Sequence, residues 1–176
     1  MKQLILLRHG EAQAREPGVA DSDRALTAQG RTEALDAADC IKQVAVRLDE
    51  FLVSPAVRAR ETALIVAAEL DFNQELRYDA QLYGEEMQAL LQCLRRCGTD
   101  AGAVLMVGHN PTISTLAGHL ANGRPVSREA EAESLDRGSS AEPLELTTAG
   151  VCRVQFEAET WGELSPHTVT AVSLLR

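Results

Sequence analysis

The sequence predicts an α/β fold, in which one domain of three layers holds a mostly parallel central sheet between helices on both faces. Short apolar runs, typical of strands buried on both faces, alternate with longer segments whose apolar residues recur at helical spacing. Three of these apolar runs also end in a polar junction before the next helical segment. Strands that alternate with helices from the start of a chain are typical of a sheet covered by helices on both sides.

The first predicted strand is the apolar run from Leu4 to Leu7, and His9 and Gly10 follow it in a loop. The first helix is expected after Thr27, whose hydroxyl suits an amino cap. Apolar residues from Ala34 to Ala45 recur there at helical spacing.

The second predicted strand runs from Glu50 to Ser54. Ser54 is a cap residue and Pro55 suits the first position of a helix, so a second helix is expected from Pro55 to about Leu70. The strand and the helix are therefore joined by a very short connection.

A third helix is predicted from the amphipathic stripe between Met87 and Cys97, and a third buried strand from Ala103 to Val107. Asn110 and Pro111 repeat the combination of a cap residue and a proline. They predict a fourth helix that continues through Leu120.

Residues from about 122 to 143 are polar and charged, with no apolar stripe, and are predicted to form a charged surface loop. Two strand-like runs follow, from Val151 to Glu157 and from Thr168 to Leu174. A length of 176 residues suits one core, so residues 1–176 are expected to form a single domain.

The composition excludes some classes of partner. Lys and Arg number 17 against 26 Asp and Glu, and a formal charge of −9 argues against nucleic acid or an anionic membrane as the main partner. Arg8 interrupts the first apolar run before a signal-peptide core or a membrane span could form, so a cytoplasmic location is expected. The four cysteines are scattered and are expected to be reduced thiols, with a zinc or redox site as the alternative.

Two arginines and two histidines carry the chemistry of the three polar junctions. Arg8 and His9 follow the first strand, Arg58 follows the second and His109 the third. Ligands of open α/β sheets bind at the carboxyl ends of the strands, so these four residues are expected to converge. Guanidinium groups bind phosphoryl oxygens at two points, while an imidazole can attack phosphorus and carry the group covalently.

The segment Leu7-Arg8-His9-Gly10-Glu11-Ala12 resembles the signature of the histidine phosphatase superfamily, whose core is shared with cofactor-dependent phosphoglycerate mutases. Three further segments agree in order and spacing: Leu26-Thr27-x-x-Gly30, Ser54-Pro55-x-x-Arg58-Ala59-x-x-Thr62 and Val107-Gly108-His109-Asn110-Pro111. The resemblance is greatest to the small SixA-type phosphohistidine phosphatases, which share the compact length, the Gly-His-Asn-Pro spelling and a Leu-Tyr pair, here Leu82-Tyr83. The charged segment 122–143 departs from that pattern.

The resemblance implies a phosphoglycerate mutase-like fold and a role for each residue. It makes His9 the nucleophile, Arg8 and Arg58 the phosphate clamps, and His109 the second histidine that contacts the phosphoryl group. No metal or organic cofactor is implied. Glu85 is a candidate general acid, because related mutases and phosphomonoesterases place a glutamate in this region; alternatively, it is a surface charge favoured by the dipole of the third helix.

The expected activity is that of a phosphatase with a covalent phosphohistidine intermediate, acting on phosphohistidine of a protein such as a phosphotransfer signalling or phosphotransferase-system component. An imidazole departs easily, whereas an alkoxide needs a well-placed acid. Only about fifty residues separate Arg58 from His109, which leaves little room for a lid over a small metabolite. The alternatives are a small-molecule phosphomonoesterase or mutase on the same fold, and a phosphate-binding module without catalysis. The expected partner is a phosphorylated protein or a small phosphorylated substrate, and the chain is expected to be a monomer or a small homo-oligomer.

Overall fold

The computed structural model describes residues 1–44, 47–122, 126–128 and 144–176. The described helices are α1 (Ala28–Gln43), α2 (Val57–Glu69), α3 (Met87–Arg95) and α4 (Thr112–Ala121). The described strands are β1 (Lys2–Arg8), β2 (Glu50–Val53), β3 (Arg77–Tyr78), β4 (Ala103–Gly108), β5 (Ser127–Arg128), β6 (Val151–Phe156) and β7 (Val169–Leu174). Short 3-10 helices lie at Asp21–Asp23, Ala80–Tyr83 and Trp161–Glu163.

The described strands form one sheet in the order β3-β2-β4-β1-β6-β7-β5. Neighbouring strands are parallel except at β6, which runs antiparallel to both β1 and β7. The prediction of a mostly parallel sheet is therefore confirmed. In the register of the sheet, Val107 of β4 lies beside Leu7 of β1 and Val53 of β2, so these three strands end at the same edge.

Helices cover both faces of the sheet, and β1 shows how. Leu4 and Leu6 pack into the apolar cluster that includes α3 and α4, while Ile5 and Leu7 pack into the cluster that includes α1 and α2. All four side chains are fully buried. Burial of a leucine or isoleucine side chain contributes about 1.5–3 kcal/mol, so β1 anchors both layers. The predicted three-layer α/β/α arrangement is confirmed.

The predicted starts of α1 and α3 are right, the latter at Met87, and the predicted starts of α2 and α4 are wrong. Thr27 caps α1, with its hydroxyl accepting from the Gly30 amide. However, α2 begins at Val57 after Ala56 rather than at Pro55, and α4 begins at Thr112 after Pro111 rather than at Pro111.

The physical reason is that Ser54 and Asn110, the two predicted caps, use their side chains for contacts elsewhere. Ser54 Oγ is 2.7 Å from Nε2 of His109, and Asn110 Nδ2 donates to the carbonyl of Leu146 at 2.9 Å. Tertiary partners thus hold both side chains, and the residues that end up at the cap positions, Ala56 and Pro111, make no side-chain cap hydrogen bond. Both helices therefore start one or two residues later than predicted.

The predicted charged loop at 122–143 lies largely outside the described residues. Within the described part, Ser127–Arg128 forms β5, which pairs in parallel with the carboxyl end of β7. The prediction of a loop is wrong at these two residues, because their backbone extends the sheet at its edge. No helix in the described part of the chain is both long and apolar enough to cross a membrane.

Candidate active site

A cavity of about 560 Å³ lies at the carboxyl ends of β1, β2 and β4. The structure places all four predicted residues, Arg8, His9, Arg58 and His109, in its wall. Arg8 ends β1, His9 follows it, Arg58 lies in the first turn of α2, and His109 follows β4. The convergence follows from the sheet, because these three strands are neighbours in the order β2-β4-β1.

Hydrogen bonds at both ring nitrogens hold the imidazole of His9 in one orientation. Nδ1 lies 2.6 Å from the carbonyl oxygen of Gly10 and must donate to it, since a carbonyl only accepts. In a neutral ring, the lone pair is then on Nε2, to which Nε of Arg58 donates at 3.2 Å. His9 therefore presents an unprotonated nitrogen beside a guanidinium.

Burial, together with the smaller effects of the charges of Arg58, Arg8 and Arg24, lowers the pKa of His9 to about 4, against the opposing effect of the Gly10 carbonyl. His9 is therefore neutral at pH 7. A neutral imidazole is the form that can attack phosphorus.

His109 is almost fully buried, with 8% of its surface exposed. Its ring centre is 4.9 Å from that of His9 and 5.3 Å from that of Tyr83, which it meets edge-on. Burial, the neighbouring His9 and the charge of Arg58 together lower the pKa of His109 to about 3, so this ring is neutral as well. Its Nε2 is bonded to Ser54, whereas its Nδ1 is buried and has no hydrogen-bond partner among the described residues.

Arg58 is held by Asp21, a residue that the sequence did not single out. Nη1 of Arg58 donates to the carbonyl oxygen of Asp21 at 2.5 Å, and Nη2 donates to its carboxylate oxygen Oδ2 at 2.9 Å. Tyr83 donates its hydroxyl proton to the same Oδ2 at 2.9 Å, and Arg24 donates from Nε to Oδ1 at 3.0 Å. The Asp21 carboxylate thus accepts hydrogen bonds from three side chains in the wall of the cavity, those of Arg58, Tyr83 and Arg24.

The pKa of Asp21 is well below its usual range. Partial burial raises it, but the hydrogen bonds from Tyr83, Arg58 and Arg24 outweigh burial and favour the charged form. Asp21 is therefore a carboxylate at neutral pH and a poor proton donor. The spacing of Asp21 and Arg24, three residues apart and of opposite charge, is the signal by which the sequence could have indicated this pair.

Arg8 and Glu85 both line the cavity. Arg8 Nη1 donates to the carbonyl of Leu146 at 2.8 Å, and its Nε is buried without a partner among the described residues. Glu85 is exposed and precedes α3, so it lies outside the first turn of the helix, although it lines the cavity. The candidate general acid therefore lines the same cavity as the four predicted residues and is exposed.

None of the cysteines lines this cavity. Cys93, Cys97 and Cys152 are buried free cysteines, and burial raises the pKa of Cys97 and Cys152 to about 12, which keeps them as thiols. In the parts of the chain that the structure describes, no group of three or more His, Cys, Asp or Glu side chains could hold a metal ion.

Comparison with known proteins agrees with this geometry. Residues 4–88 match the family described as the histidine phosphatase superfamily, branch 1. An uncharacterized protein of Mycobacterium tuberculosis is 34% identical over 116 residues, which cover 66% of this chain and 70% of the relative. An uncharacterized protein of Picosynechococcus is 34% identical over 125 residues, which cover 69% and 74%. The chain belongs to the histidine phosphatase superfamily.

Solved structures show which members of the superfamily this chain is similar to. A protein of Nakamurella multipartitia, provisionally described as the phosphohistidine phosphatase SixA, is 26% identical, with a TM-score of 0.74 and coverage of 98% of this chain and 92% of that one. A similarly described protein of Agrobacterium tumefaciens is 26% identical, with a TM-score of 0.71 and coverage of 88% and 92%. The structure of the protein histidine phosphatase SixA with tungstate, at 23% identity and a TM-score of 0.70, shares the fold and covers 94% and 97%. The protein is thus a SixA-like phosphatase with the phosphoglycerate mutase-like fold.

Proposed function

We propose that this phosphatase removes the phosphoryl group from phosphohistidine on a protein, with His9 as the nucleophile. The observation that carries the proposal is the state of His9. Its Nδ1 is tied to the Gly10 carbonyl, its pKa is lowered to about 4, and its Nε2 lone pair lies 3.2 Å from Nε of Arg58. This nitrogen is unprotonated and stands beside a cation that can hold the phosphoryl oxygens.

The reaction has two steps. In the first, Nε2 of His9 attacks phosphorus, and the bond from phosphorus to the substrate imidazole breaks, with its electron pair going to the departing nitrogen, which takes a proton from solvent. In the second, water attacks phosphorus and loses a proton, the bond to Nε2 breaks, and inorganic phosphate leaves. Arg8, Arg58 and His109 hold the phosphoryl oxygens throughout.

The acids around the cavity favour phosphohistidine as the substrate class. The acidic residues in the wall are Glu11, Asp21 and Glu85. Asp21 stays ionised, and Glu11 and Glu85 are exposed. A departing imidazole needs less help from an acid than an alkoxide does. Glu85 nevertheless lines the cavity, and this position favours a second candidate function, the hydrolysis of small phosphomonoesters with Glu85 as the general acid.

The nucleophile is tested by trapping the intermediate. We expect His9→Ala to abolish turnover and to retain binding of a phosphate analogue, because no other group replaces the covalent bond. His109→Ala should lower both rate and binding, the rate by roughly a hundredfold or more. In the wild type, quenching without acid and mass spectrometry should place a phosphoryl group on the peptide that contains His9. A phosphoryl group on a cysteine or on the exposed His119 would overturn the assignment.

The substrate class is tested by comparing kcat/KM on a phosphohistidine protein with kcat/KM on phosphoglycerate and phosphoserine. We expect the phosphohistidine protein to be preferred, and we expect Glu85→Gln to leave that rate within about twofold. If phosphomonoesters are preferred and Glu85→Gln slows them, the second candidate function replaces the first. A stable phosphoprotein that never turns over would instead indicate a binding module.

A further inference from the structure

Ser54 does not line the active-site cavity, but its side chain is hydrogen-bonded to His109, which does. It is fully buried directly after β2, and its amide donates to the carbonyl of Val107 on β4 at 3.1 Å. Its Oγ is 2.7 Å from Nε2 of His109. The pairing of β2 with β4 therefore holds the serine against the ring that follows β4.

The position of the proton in this hydrogen bond follows from the partners of Ser54 Oγ. The hydroxyl has one proton to donate, and the amide of Ala56 donates to Oγ at 3.5 Å. If Nε2 of His109 carried the ring proton, the hydroxyl would have to accept from His109. Its own hydrogen would then face no acceptor among the described residues and no solvent, because Ser54 has 0% exposure. An unsatisfied buried donor is costly, so the hydroxyl donates to Nε2.

This direction determines where the proton of His109 lies. A neutral imidazole carries one proton, and if Nε2 accepts from Ser54, the proton is on Nδ1. That nitrogen is buried and has no partner among the described residues, while the ring itself lines the cavity. The lowered pKa of His109, about 3, is consistent with a ring that keeps a single proton.

We propose that Ser54 is a positioning residue that holds His109 in its Nδ1–H tautomer, so that this unpaired donor bonds to the phosphoryl group transferred to His9. Phosphoryl oxygens of a dianion only accept hydrogen bonds, so a histidine with the opposite tautomer would present a lone pair to them. The inference rests on the proposed function for the identity of the group that His109 contacts.

The tautomer is tested directly by long-range proton–nitrogen correlation spectra of the wild type at pH 7, free and with vanadate. We expect Nδ1 of His109 to be protonated and Nε2 to be unprotonated in both states. In Ser54→Ala, we expect a mixture of tautomers, a loss of kcat/KM of about ten- to a hundredfold and weaker vanadate inhibition. Ser54→Thr keeps a hydroxyl and should recover most of the activity and the single tautomer. Ser173→Ala, a buried serine on β7, is the matched control and should change neither.

A protonated Nε2 in the wild type, or a Ser54→Ala variant with full kcat/KM and an unchanged tautomer, would overturn the proposal. If Ser54→Ala does not fold, the wild-type spectrum and Ser54→Thr still decide. The tautomer is measured without turnover, so an Nδ1–H ring in an enzyme whose nucleophile is not His9 would refute the proposed function alone.

Discussion

A buried guanidinium needs a counter-charge, and in this structure Arg58 finds it within the chain. Arg58 is 5% exposed, and an unpaired charge at that depth would be strongly unfavourable. Asp21 supplies the carboxylate, and Tyr83 and Arg24 donate to the same group. A phosphoryl dianion calls for the same kind of donors. If Arg58 holds the phosphoryl group as proposed, Asp21 and the substrate compete for it.

This competition predicts that Asp21→Asn binds vanadate more tightly, by about five- to tenfold, because one negative charge beside the anion site is removed. The backbone carbonyl of residue 21 still accepts from Arg58 in the variant, so the guanidinium keeps one partner. The measurement is the inhibition constant of vanadate against a chromogenic phosphate. Asp23→Asn, an exposed change two residues away, is the control and should leave the constant unchanged.

Weaker vanadate inhibition in Asp21→Asn would contradict this competition. It would show instead that the carboxylate orients Arg58 for the substrate, and that its loss disorders the clamp. The two outcomes differ in sign, so a single inhibition series separates them.

At the same scale, the convergence of the four motif residues could be predicted from the sequence, whereas Asp21, which reaches the cavity through tertiary contacts, was missed. His9 and His109 directly follow apolar strands, and their place in the chain is enough to predict their place in the fold. Asp21 meets Arg58 across 37 residues and Tyr83 across 62. Contacts at that separation depend on how the loops pack, so they cannot be predicted from a local sequence pattern.

Between elements, the start of α1 and the loop after β1 approach each other more closely than any side chain allows. A Cβ on Gly10 would lie 2.4 Å from the carbonyl oxygen of Gly30, and a Cβ on Gly30 would lie 2.1 Å from that of Glu11. Both contacts are with backbone, which cannot rotate away. The two glycines therefore let α1 support the loop that carries His9.

Gly30→Ala is predicted to push the His9 loop away from α1. We expect the variant to lose about 1–3 kcal/mol of unfolding free energy in urea, since the added methyl group overpacks the contact. It should also lose activity, because His9 depends on the Gly10 carbonyl for its orientation. Gly118→Ala in α4 is the matched control: its Cβ would meet Leu144 at an ordinary 4.0 Å, and alanine should add up to about 1 kcal/mol through helix propensity. If Gly30→Ala and Gly118→Ala changed stability and activity equally, the close contact between α1 and the His9 loop would not be what Gly30 is needed for.

The elements were predicted well where burial alone determines them. Runs such as Ala103 to Val107 are apolar throughout because helices cover both faces, and the strand extends one residue further, to Gly108. Helix starts depend on which side chain is free to cap. Ser54 and Asn110 carry the right chemistry for caps, but tertiary partners engage them. The edge strand β5 has 2 residues, too few to show the alternation of apolar and polar side chains by which a strand is predicted.

Over the whole molecule, the fold brings four arginines and two histidines together around one cavity in a protein that is acidic overall. The formal charge is −9, yet four arginines line the cavity: Arg8, Arg15, Arg24 and Arg58. The two histidines lie among them and are kept neutral by burial first and by neighbouring positive charge second. The fold therefore keeps in neutral form two groups that would accept protons in the unfolded chain.

Folding stability should consequently fall as the pH drops below about 6.5. In the unfolded chain both histidines titrate near 6.5, whereas in the folded protein the pKa of His9 is about 4 and that of His109 about 3. Between these values the unfolded state binds more protons, so the free energy of unfolding decreases as the pH falls. Below its folded pKa, each histidine causes no further decrease. At pH 5 each should reduce the free energy of unfolding by on the order of 2 kcal/mol relative to pH 7.

The measurement is urea unfolding of the wild type and of His9→Gln at pH 7 and pH 5. The difference in unfolding free energy between the two pH values should be smaller in His9→Gln by on the order of 2 kcal/mol, because glutamine takes up no proton. His119→Gln, at an exposed position on α4, is the control and should keep the wild-type difference. Asp21 also loses its contribution in acid, but that loss begins only near its unfolded pKa of 3.8, below pH 5, and it is common to all three proteins. If His9→Gln loses as much stability as the wild type between pH 7 and pH 5, His9 is protonated in the folded protein, and a nucleophile that is neutral at pH 5 is ruled out with it.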